Sequence, residues 1–303
     1  MLDAHLSQNQ IAKNLKFHRS TISREICRNS GSRGYRPKQA EKKAQQRQDY
    51  RFQARRMIPP MIEAVVRKLK LKWSPEQISN RFKSAGLPSV SSESIYRYVK
   101  TDQESGGELW RNLRRSNRRR KRRFPSEDKR GRIKNAVSIN KRHIGADNRS
   151  RVGHWERDSM LGCHRKGGLL VITDRKSRFN KLGLLQEKKS KKVTGLTKKL
   201  LNNLKTVSIT NDRGLEFADH QKLTQKTGVP VYFCDPYSSY QRGSNENRIG
   251  IIRQYIPKGS DLRLLTQADI KNIEKEINHR PMKCLDWKTP YEVFFNKRCT
   301  TIW

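Results

Sequence analysis

The sequence lacks the features that mark membrane, secreted and zinc-ribbon proteins. No stretch of the 303 residues approaches the roughly 18 consecutive apolar residues of a membrane-spanning helix, and the N-terminal residues MLDAHLSQNQ contain no apolar signal-peptide core. The five cysteines are odd in number, far apart and never arranged as C-x-x-C, which argues against a disulfide framework or a zinc ribbon. We therefore expect a soluble protein of the cytoplasm with reduced cysteines that pack in the interior.

Acidic residues are also scarce. The chain carries 68 lysines and arginines against 28 aspartates and glutamates, so its net charge is +40. That excess is far larger than solubility requires and predicts a polyanionic partner such as nucleic acid. An RNA-binding or ribosomal protein is the less favoured interpretation, because the sequence shows no RNP-type strand with stacking aromatic residues.

Residues 1–35 have the capping and turn residues that are typical of a helix-turn-helix. Ser7 and Gln10 form a capping box at the start of one helix, and Ile11 and Leu15 share one face of it. After a short break a second helix is predicted over 19–26, and in a helix-turn-helix the second helix enters the DNA major groove. A solvated helical hairpin is the alternative that this pattern alone leaves open. The candidate DNA contacts, which all lie off the apolar stripe of the second helix, are Arg19, Ser20, Thr21, Ser23 and Arg24.

A second unit of the same kind is predicted over 73–108. The string Ser74-Pro75-Glu76-Gln77 supplies an N-cap, a proline at the first helical position and a capping glutamine. After a Gly-Leu-Pro turn, the next helix directs its apolar residues inward and exposes Ser92, Tyr96 and Arg97 as candidate DNA contacts. Two such units in tandem favour an extended DNA site. Residues 36–72 between them are interpreted as a basic helical connector.

Residues 109–149 are predicted to form an arginine-rich linker. Nine of the thirteen positions 111–123 are basic, and such a segment cannot bury a core. It is either a solvated linker or a DNA-binding arm, and the counterions released when basic side chains meet phosphates favour the arm. Its candidate contacts are Arg118, Arg119 and Arg120.

Residues 150–303 are predicted to form a separate α/β domain, because short apolar runs alternate with helical segments. Strands are predicted over 154–161, 169–173, 182–185, 207–210 and 229–233. Helices are predicted over 191–204, 219–227, 245–255 and 267–279, with a short one after Thr289-Pro290. The expected fold class is therefore an all-α tandem helix-turn-helix region followed by an α/β domain.

Three acidic residues of this domain stand where a metal site could use them. Asp158 lies in the first strand, Asp212 follows the fourth strand in a glycine turn, and Glu246 opens a helix. Strand ends are where α/β folds collect ligands, and Mg²⁺ prefers carboxylate oxygens. Two such ions about 4 Å apart can activate the attacking oxygen and stabilise the leaving oxygen of a phosphodiester exchange. A solvated charge is the ordinary alternative for any one of these acids.

The helix that Glu246 opens carries two further candidates. Gly250 and Arg253 lie four and seven residues after Glu246 and share a helical face with it. Gly250 would let the backbone approach DNA, while Arg253 would bind a phosphate.

Eight strings of the sequence carry a resemblance to a known family. They are Ser20-Thr21-Ile22-Ser23-Arg24-Glu25, Trp73-Ser74-Pro75-Glu76-Gln77-Ile78, Gly153-His154-Trp155-Glu156-x-Asp158, Thr210-Asn211-Asp212-Arg213-Gly214, Pro236-Tyr237-Ser238-Ser239, Gly243-x-Asn245-Glu246-Asn247, Ile252-Arg253-Gln254-Tyr255-x-Pro257-Lys258-Gly259, and Asn278-x-Arg280-Pro281 through Trp287-Lys288-Thr289-Pro290. Thirty-three residues separate Asp212 from Glu246. In these strings and in this spacing the chain resembles the IS-thirty family of bacterial insertion-sequence transposases.

The resemblance implies a DDE transposase with an RNase H-like (integrase) catalytic core. It implies that Asp158, Asp212 and Glu246 are the catalytic residues and the ligands of Mg²⁺, which Mn²⁺ could replace. Arg253 and Lys258 would contact DNA, and the N-terminal helices would bind the terminal inverted repeats of the element. The site would hydrolyse the strand at the element end, and the freed 3′-OH would attack target DNA. A homo-oligomer that pairs two DNA ends, associated with the bacterial nucleoid, is expected.

Three features depart from the family pattern. The chain reaches its first capping box within a few residues, whereas family members usually carry another helix before it, so weaker end recognition is expected. Arg157 stands where glycine is usual, and alternation along the strand points it away from the face of Asp158. Ile249 replaces a common asparagine three residues after Glu246.

Other polar residues of the domain receive supporting or structural interpretations. Glu156 shares the strand face of Asp158 and is expected to support the site, and Asp174 and Asp235 are interpreted as turn or surface acids. His154 and Trp155 are expected to pack or to position neighbours. His164 beside Cys163 has no partner pair at metal-ligand spacing.

The alternative function from another class is a DNA-binding regulator with a catalytically silent core. Two helix-turn-helix units and the high positive charge would suit it equally well. Such a protein would bind DNA but never nick it.

Overall fold

The computed structural model describes residues 6–53, 57–114, 133–163, 167–236, 238, 241 and 243–297, without the side chains of 48–53 and 243–246. Its contacts divide the chain into two compact units, Met1–Pro59 and Pro60–Trp303. The boundary falls inside segment 36–72, which the sequence pattern presented as one connector. Among the described helices, none combines the length and the apolar character that crossing a membrane requires.

The first unit begins with the two predicted helices. They are α1 (Gln8–Leu15) and α2 (Arg19–Asn29). The predicted capping box is present, since the side chain of Ser7 accepts a hydrogen bond from the backbone N–H of Gln10 and the backbone N–H of Ser7 donates to the Gln10 side chain at 2.8 Å. The small core of this helix pair consists of Ile11, Ala12 and Ile22, with Leu6 and Ile26 packed against it.

Leu15 does not join this core. Its side chain is 44 % exposed, although it lies one helical turn after the buried Ile11. The reason is local: α1 ends at Leu15, and Lys16 turns the chain with a left-handed φ of 56°.

A third helix, α3 (Pro37–Gln53), packs on the C-terminal end of α2 through basic side chains. Arg47 donates from Nη2 to Asn29 Oδ1 at 2.5 Å and from Nη1 to the carbonyl oxygen of Arg28 at 3.3 Å. Lys43 donates from Nζ to the carbonyl oxygen of Ser30 at 2.6 Å. Carbonyls at a helix C-terminus lack intrahelical partners and carry partial negative charge, so basic groups stabilise that end. The first part of the predicted connector therefore belongs to the N-terminal unit.

The second unit opens with a three-helix layer. Its helices are α4 (Pro59–Lys70), α5 (Pro75–Ser84) and α6 (Ser92–Glu104). The Ser74–Gln77 capping box predicted for α5 is present. The apolar residues of α5 and α6 meet in the interior, where Ile78, Phe82, Ile95 and Val99 are almost completely buried.

The α4–α6 layer is joined to the C-terminal part of the same unit by polar contacts. Arg81 of α5 pairs with Glu292 at 2.5 Å, and both side chains are 8 % exposed. Arg81 also donates to the carbonyl oxygen of Trp287 at 3.1 Å, and Gln77 donates to that of Pro281 at 2.7 Å. The second helix pair is thus a built-in part of the larger unit.

The rest of the unit is built on a five-stranded mixed sheet. Its strands are β1 (His154–Leu161), β2 (Gly168–Asp174), β3 (Asn180–Leu185), β4 (Ser208–Asn211) and β5 (Val231–Phe233). The spatial order is β3-β2-β1-β4-β5, with β1 antiparallel to β2, β2 antiparallel to β3, and β1, β4 and β5 mutually parallel. The five predicted strands are confirmed, each with ends within two residues of the expected ones.

Helices cover both faces of the sheet. They are α7 (Ile144–Asp147), α8 (Ser190–Leu201), α9 (His220–Thr227), α10 (Gly243–Ile252), α11 (Gln267–Asn278) and α12 (Pro290–Phe295). Residues of α8, α9 and α12 share one core with Trp155, Leu170 and Ile172. Residues of α10 and α11 share the other with Met160, Leu169 and Val171. A two-sided α/β sheet that follows helical segments in the sequence confirms the expected fold class.

Candidate functional site

One candidate acid lies on β1, and a second directly follows the adjacent parallel strand β4. In the β1–β4 pairing His154 stands opposite Ser208 and Glu156 opposite Thr210, where the pairing ends. Asp158 comes two residues after Glu156 and Asp212 two residues after Thr210, so a continued register would set the two aspartates level, on the face of β1 that carries Glu156. That face also carries Met160, which belongs to the core shared with α10 and α11.

Local hydrogen bonds shape the ends of both strands. The backbone N–H of Gly214 donates to Asp212 Oδ1 at 3.0 Å, which closes the turn that follows β4. The backbone N–H of Ser159 donates to Asp158 Oδ1 at 2.7 Å. Both aspartates are half-buried.

The third candidate acid, Glu246, lies in the first half of α10, and its side chain is outside the described set. Ile251 and Ile252 of this helix are buried in the core on the Asp158 face of the sheet. Among the described side chains, no three His, Cys, Asp or Glu residues are grouped closely enough to hold a metal ion. The two described aspartates are hard, partly open oxygen donors, and this donor set fits a divalent cation such as Mg²⁺.

Arg157 lies behind the paired strand ends, on the opposite face of β1. It is 1 % exposed, donates to Asn211 Oδ1 at 2.9 Å and to Thr197 Oγ1 at 2.8 Å, and places its guanidinium 4.5 Å from the centre of the Phe217 ring. Burial lowers the pKa of Arg157 to about 9, against the opposing charges of Glu216 and Asp212. Alternation along β1 directs this side chain as expected, but its contact with Asn211 still ties it to the residue before Asp212.

Glu156 is fully buried and forms an ion pair with Arg175. Arg175 also donates from Nε to the carbonyl oxygen of Ala146 at 2.6 Å. Next to it, Arg142 donates to Thr210 Oγ1 at 2.9 Å and pairs with Asp147. Sequence reasoning did not identify Arg142 or Arg175, because their partners lie between 5 and 68 residues away along the chain and no local pattern marks them.

His154 and Trp155 pack, as the sequence analysis expected. Trp155 is completely buried, and its Nε1 donates to the carbonyl oxygen of Lys205 at 3.1 Å. His154 is 1 % exposed and lies 2.8 Å from Ser208 Oγ through Nδ1, while Arg151 donates to its Nε2 at 3.3 Å. Burial, followed by the charges of neighbouring basic groups, lowers the pKa of His154 to about 4. At neutral pH this ring is therefore uncharged.

The other acids considered as ligands have structural partners. Asp174 is a turn acid, but it is buried rather than at the surface: it accepts hydrogen bonds from the backbone N–H groups of Gly153 at 2.8 Å and Ser177 at 2.7 Å. Burial raises the pKa of Asp174, and these hydrogen bonds oppose the rise. Asp235 exchanges hydrogen bonds with Gln241 in the loop after β5.

The expectation that the cysteines pack in the interior holds for Cys234, which is buried, but not for Cys27 and Cys284, which are exposed. Cys27, Cys163, Cys234 and Cys284 form no disulfide. Cys299 and His164 lie outside the described residues.

The predicted DNA-contact residues of the first unit are largely at the surface. On α2, Arg19, Thr21, Ser23 and Arg24 are exposed. Ser20 is half-buried, and its Oγ lies 2.8 Å from Nδ1 of His18, which caps the helix.

The predicted contacts of the second unit differ more in exposure. Tyr96 and Arg97 of α6 are exposed, and Ser92 is half-buried. Arg253 is half-buried and Lys258 exposed, beyond the end of α10. Arg118, Arg119 and Arg120 lie outside the described residues.

The chain thus combines a pair of short helices in its first unit with a five-stranded mixed α/β sheet in its second. A family model described as a helix-turn-helix domain matches residues 1–29. The chain is 38 % identical to the transposase for insertion sequence element IS4351 of Bacteroides fragilis, over 97 % of this chain and 91 % of that protein. It is also 38 % identical to the transposase InsI for insertion sequence element IS30A of Escherichia coli K12, over 96 % of this chain and 79 % of that protein. The chain belongs to the IS-thirty family of insertion-sequence transposases.

Solved structures that match are integrase catalytic cores. The core domain of BIV integrase covers 47 % of this chain and 93 % of its own, with 16 % identity and a TM-score of 0.38. The core domain of HTLV-2 integrase, in complex with magnesium, covers 47 % and 95 %, with 17 % identity and a TM-score of 0.38.

Proposed function

We propose that this transposase cuts and joins DNA at a site formed by Asp158, Asp212 and Glu246. The observation that carries the proposal is the β1–β4 register, which pairs Glu156 with Thr210; Asp158 and Asp212 each follow two residues later. Glu246 lies on α10, within two turns of Ile251 and Ile252, which are buried in the core that includes Met160 of β1. Three carboxylates from three separate stretches of sequence would then form the site.

The three carboxylates would hold Mg²⁺, or Mn²⁺ in its place. When bound, such ions activate the attacking oxygen and stabilise the leaving oxygen of an in-line displacement at phosphorus. One site would therefore serve both hydrolysis of the strand at the element end and attack of the freed 3′-OH on target DNA. The hydrogen bond to Asp212 from the Gly214 N–H holds one carboxylate oxygen in a fixed orientation, and the Arg157–Asn211 contact holds the end of β4 that carries it.

The helical units would bring the element ends to this site. The exposed face of α2 suits the major groove of the terminal inverted repeats, through Arg19, Ser20, Thr21, Ser23 and Arg24. On α6, Ser92, Tyr96 and Arg97 would contact the neighbouring part of the repeat. Because the Arg81–Glu292 pair joins the α4–α6 layer to the sheet-bearing part of its unit, α6 would hold DNA at a fixed distance from the carboxylates.

Phosphate contacts would complete the binding. The basic arm with Arg118, Arg119 and Arg120 and the residues Arg253 and Lys258 beyond α10 would neutralise backbone charge on the donor or target strand. Joining two element ends in one event requires at least two end-binding surfaces, so we propose that the active form is a homo-oligomer.

The test is a nicking assay on labelled duplexes that carry the ends of the element, with Mg²⁺ or Mn²⁺. We expect the protein to nick the strand at the element end and Asp212→Asn to abolish nicking while it retains DNA binding. The matched control is Asp269→Asn, because Asp269 is an acid of the same unit that serves only the capping box of α11, where asparagine can also accept a hydrogen bond.

The outcomes separate the two candidate functions. Loss of nicking in the Asp212 variant, but not in the Asp269 variant, would support the carboxylate mechanism. Undiminished nicking by the Asp212 variant would refute the proposed site. Binding without nicking by every form of the protein would favour a DNA-binding regulator with a silent core.

A further inference from the structure

The side chain of Arg114 lies against the catalytic-domain helix α10. Arg114 lies near the start of the basic arm in sequence, and it is exposed. A Cβ atom added to Gly250 would lie 2.7 Å from Nη2 of Arg114, closer than such atoms approach one another. Gly250 therefore leaves room for this guanidinium, and any larger residue would displace it. The expectation that Gly250 admits DNA to the backbone is replaced by this contact.

Gly250 stands one helical turn after Glu246. Residues four apart on a helix lie on one face, about 6 Å apart along the axis. The guanidinium of Arg114 is thus held on the face of α10 that carries the proposed catalytic acid. A strand whose scissile phosphate reached that acid would pass Arg114 within about two nucleotides, since phosphates follow one another at about 3.4 Å along the helix axis.

A second arginine strengthens the positive charge at this position. Arg280 is 4 % exposed, and it donates to neutral oxygens: Gln77 Oε1 at 2.8 Å and Gln254 Oε1 at 2.6 Å. Burial, and in addition the nearby charge of Arg114, lower the pKa of Arg280 to about 10, while Tyr255 opposes this. Among the ion pairs recorded between described residues, none joins a carboxylate to Arg114 or Arg280.

We propose that Arg114, seated on Gly250, binds a phosphodiester of the DNA strand that enters the carboxylate site. The charge of Arg114 contributes to the lowered pKa of Arg280, and a DNA phosphate bound at Arg114 would offset this repulsion. Arg114 is the binding residue, and the arm places it against α10. Gly250 is a positioning residue, because its missing side chain leaves room for the guanidinium. The inference rests on the proposed function, because it takes α10 as part of the cutting site.

The variants distinguish the effect of the Arg114–Gly250 contact from the effect of overall positive charge and from the effect of helix stability. Arg114→Ala removes the guanidinium, and Arg114→Lys keeps a charge without its planar shape. Arg263→Ala is the charge-matched control, since Arg263 pairs with Asp261 at the surface of the same unit and is not among the proposed DNA contacts. Gly250→Ala keeps Arg114 but fills its seat, and the atom that the new Cβ meets is the far end of a flexible side chain, so the fold is retained. Gly195→Ala in α8 is its control, because nothing lies within 4 Å of a Cβ added there.

The measurement is DNA binding by full-length protein carrying Asp212→Asn, so that affinity is measured without cleavage. The probes are element-end duplexes and target duplexes in which single phosphates are replaced in turn by uncharged methylphosphonates. With Arg114 present, we expect one or two neutralised positions near the cleavage point to weaken binding several-fold. With Arg114→Ala those positions should lose their effect, and the slope of log affinity against log salt should fall by about one.

The duplex in which a neutralised phosphate weakens binding shows which DNA Arg114 contacts, the element end or the target. Gly250→Ala should weaken binding, as Arg114→Ala does, and should add nothing in the Arg114→Ala background. Arg263→Ala and Gly195→Ala should leave the phosphate profile unchanged. Identical profiles with and without Arg114 in both duplexes would overturn the inference, and so would a Gly250→Ala profile equal to that of the parent. Either result leaves the nicking test untouched, whereas nicking by Asp212→Asn would overturn the proposed function itself.

Discussion

The buried pair between Arg81 and Glu292 allows a quantitative prediction about how the α4–α6 layer is held. The two side chains lie 2.5 Å apart and are 8 % exposed, and they join α5 to α12. Removing one member of a buried ion pair leaves the other as an uncompensated charge, which costs about 3 to 5 kcal/mol. In a unit of this size a loss of 1 kcal/mol lowers the melting temperature by about 2 to 4 °C, so Arg81→Ala should lower it by roughly 6 to 20 °C.

The control is an ion pair of the same chemistry at the surface. Arg97 and Glu93 are 3.3 Å apart, one helical turn from each other, and 78 % and 68 % exposed. Such a pair contributes about 0.3 to 0.5 kcal/mol, so Arg97→Ala should shift the melting temperature by no more than about 2 °C. Replacing both Arg81 and Glu292 by methionine should recover much of the loss, because no unpaired charge is then buried.

The assay is thermal unfolding of the full chain, followed by circular dichroism or calorimetry. If Arg81→Ala shifts the transition no more than Arg97→Ala does, the docking of α5 on α12 does not stabilise the unit, and α6 would no longer be expected to hold DNA at a fixed distance from the carboxylates.

Three further predictions follow from other contacts. Gly153→Ala should destabilise the protein by roughly 1 to 3 kcal/mol in urea unfolding. Gly153 has a φ of 105°, and an added Cβ would lie 3.1 Å from the carbonyl oxygen of Lys205. Gly195→Ala is the control, and it should be neutral or slightly stabilising because its position on α8 is open. The folded-state pKa of His154, about 4, lies below its unfolded value of 6.5, so the stability that it contributes is complete above pH 6.5 and is lost as the pH falls toward 4. Wild-type protein should therefore lose about 2 kcal/mol more than His154→Gln between pH 7 and pH 5, and equal losses in both would contradict the assignment. Arg24→Ala should weaken DNA binding and lower the slope of log affinity against log salt by about one, whereas Lys198→Ala on the exposed side of α8 should change neither, so a matching effect of both would argue against α2 as the contact helix.

Much of the local structure could be predicted because its causes are local. The capping boxes at Ser7 and Ser74 depend on residues three positions apart, and both are present. The run of β2 is apolar at successive positions, and all seven of its residues are buried, as expected for a strand covered on both faces. The alternation that directs Arg157 away from the face of Asp158 is likewise a property of the strand alone.

Other features depend on contacts that the local pattern does not show. The sequence indicates one basic connector over segment 36–72, but its first helix packs on α2 and its second belongs to the larger unit. Asp174 is a turn acid, as expected, yet it is buried and accepts a hydrogen bond from Gly153, 21 residues away. Leu15 stays exposed for a local reason, because α1 ends there.

The sequence by itself determined the fold class, the strands and helices, the polyanionic partner and the three candidate acids, because periodicity, capping, net charge and family strings are all written along the chain. Only the tertiary structure decided that Glu156 pairs with Thr210, two residues before each aspartate, that Arg142 and Arg175 support the strands beside them, and that Arg114 lies on Gly250. The residues in these contacts lie between 19 and 136 positions apart in the sequence. They come together only when the chain folds and buries its apolar faces against one another.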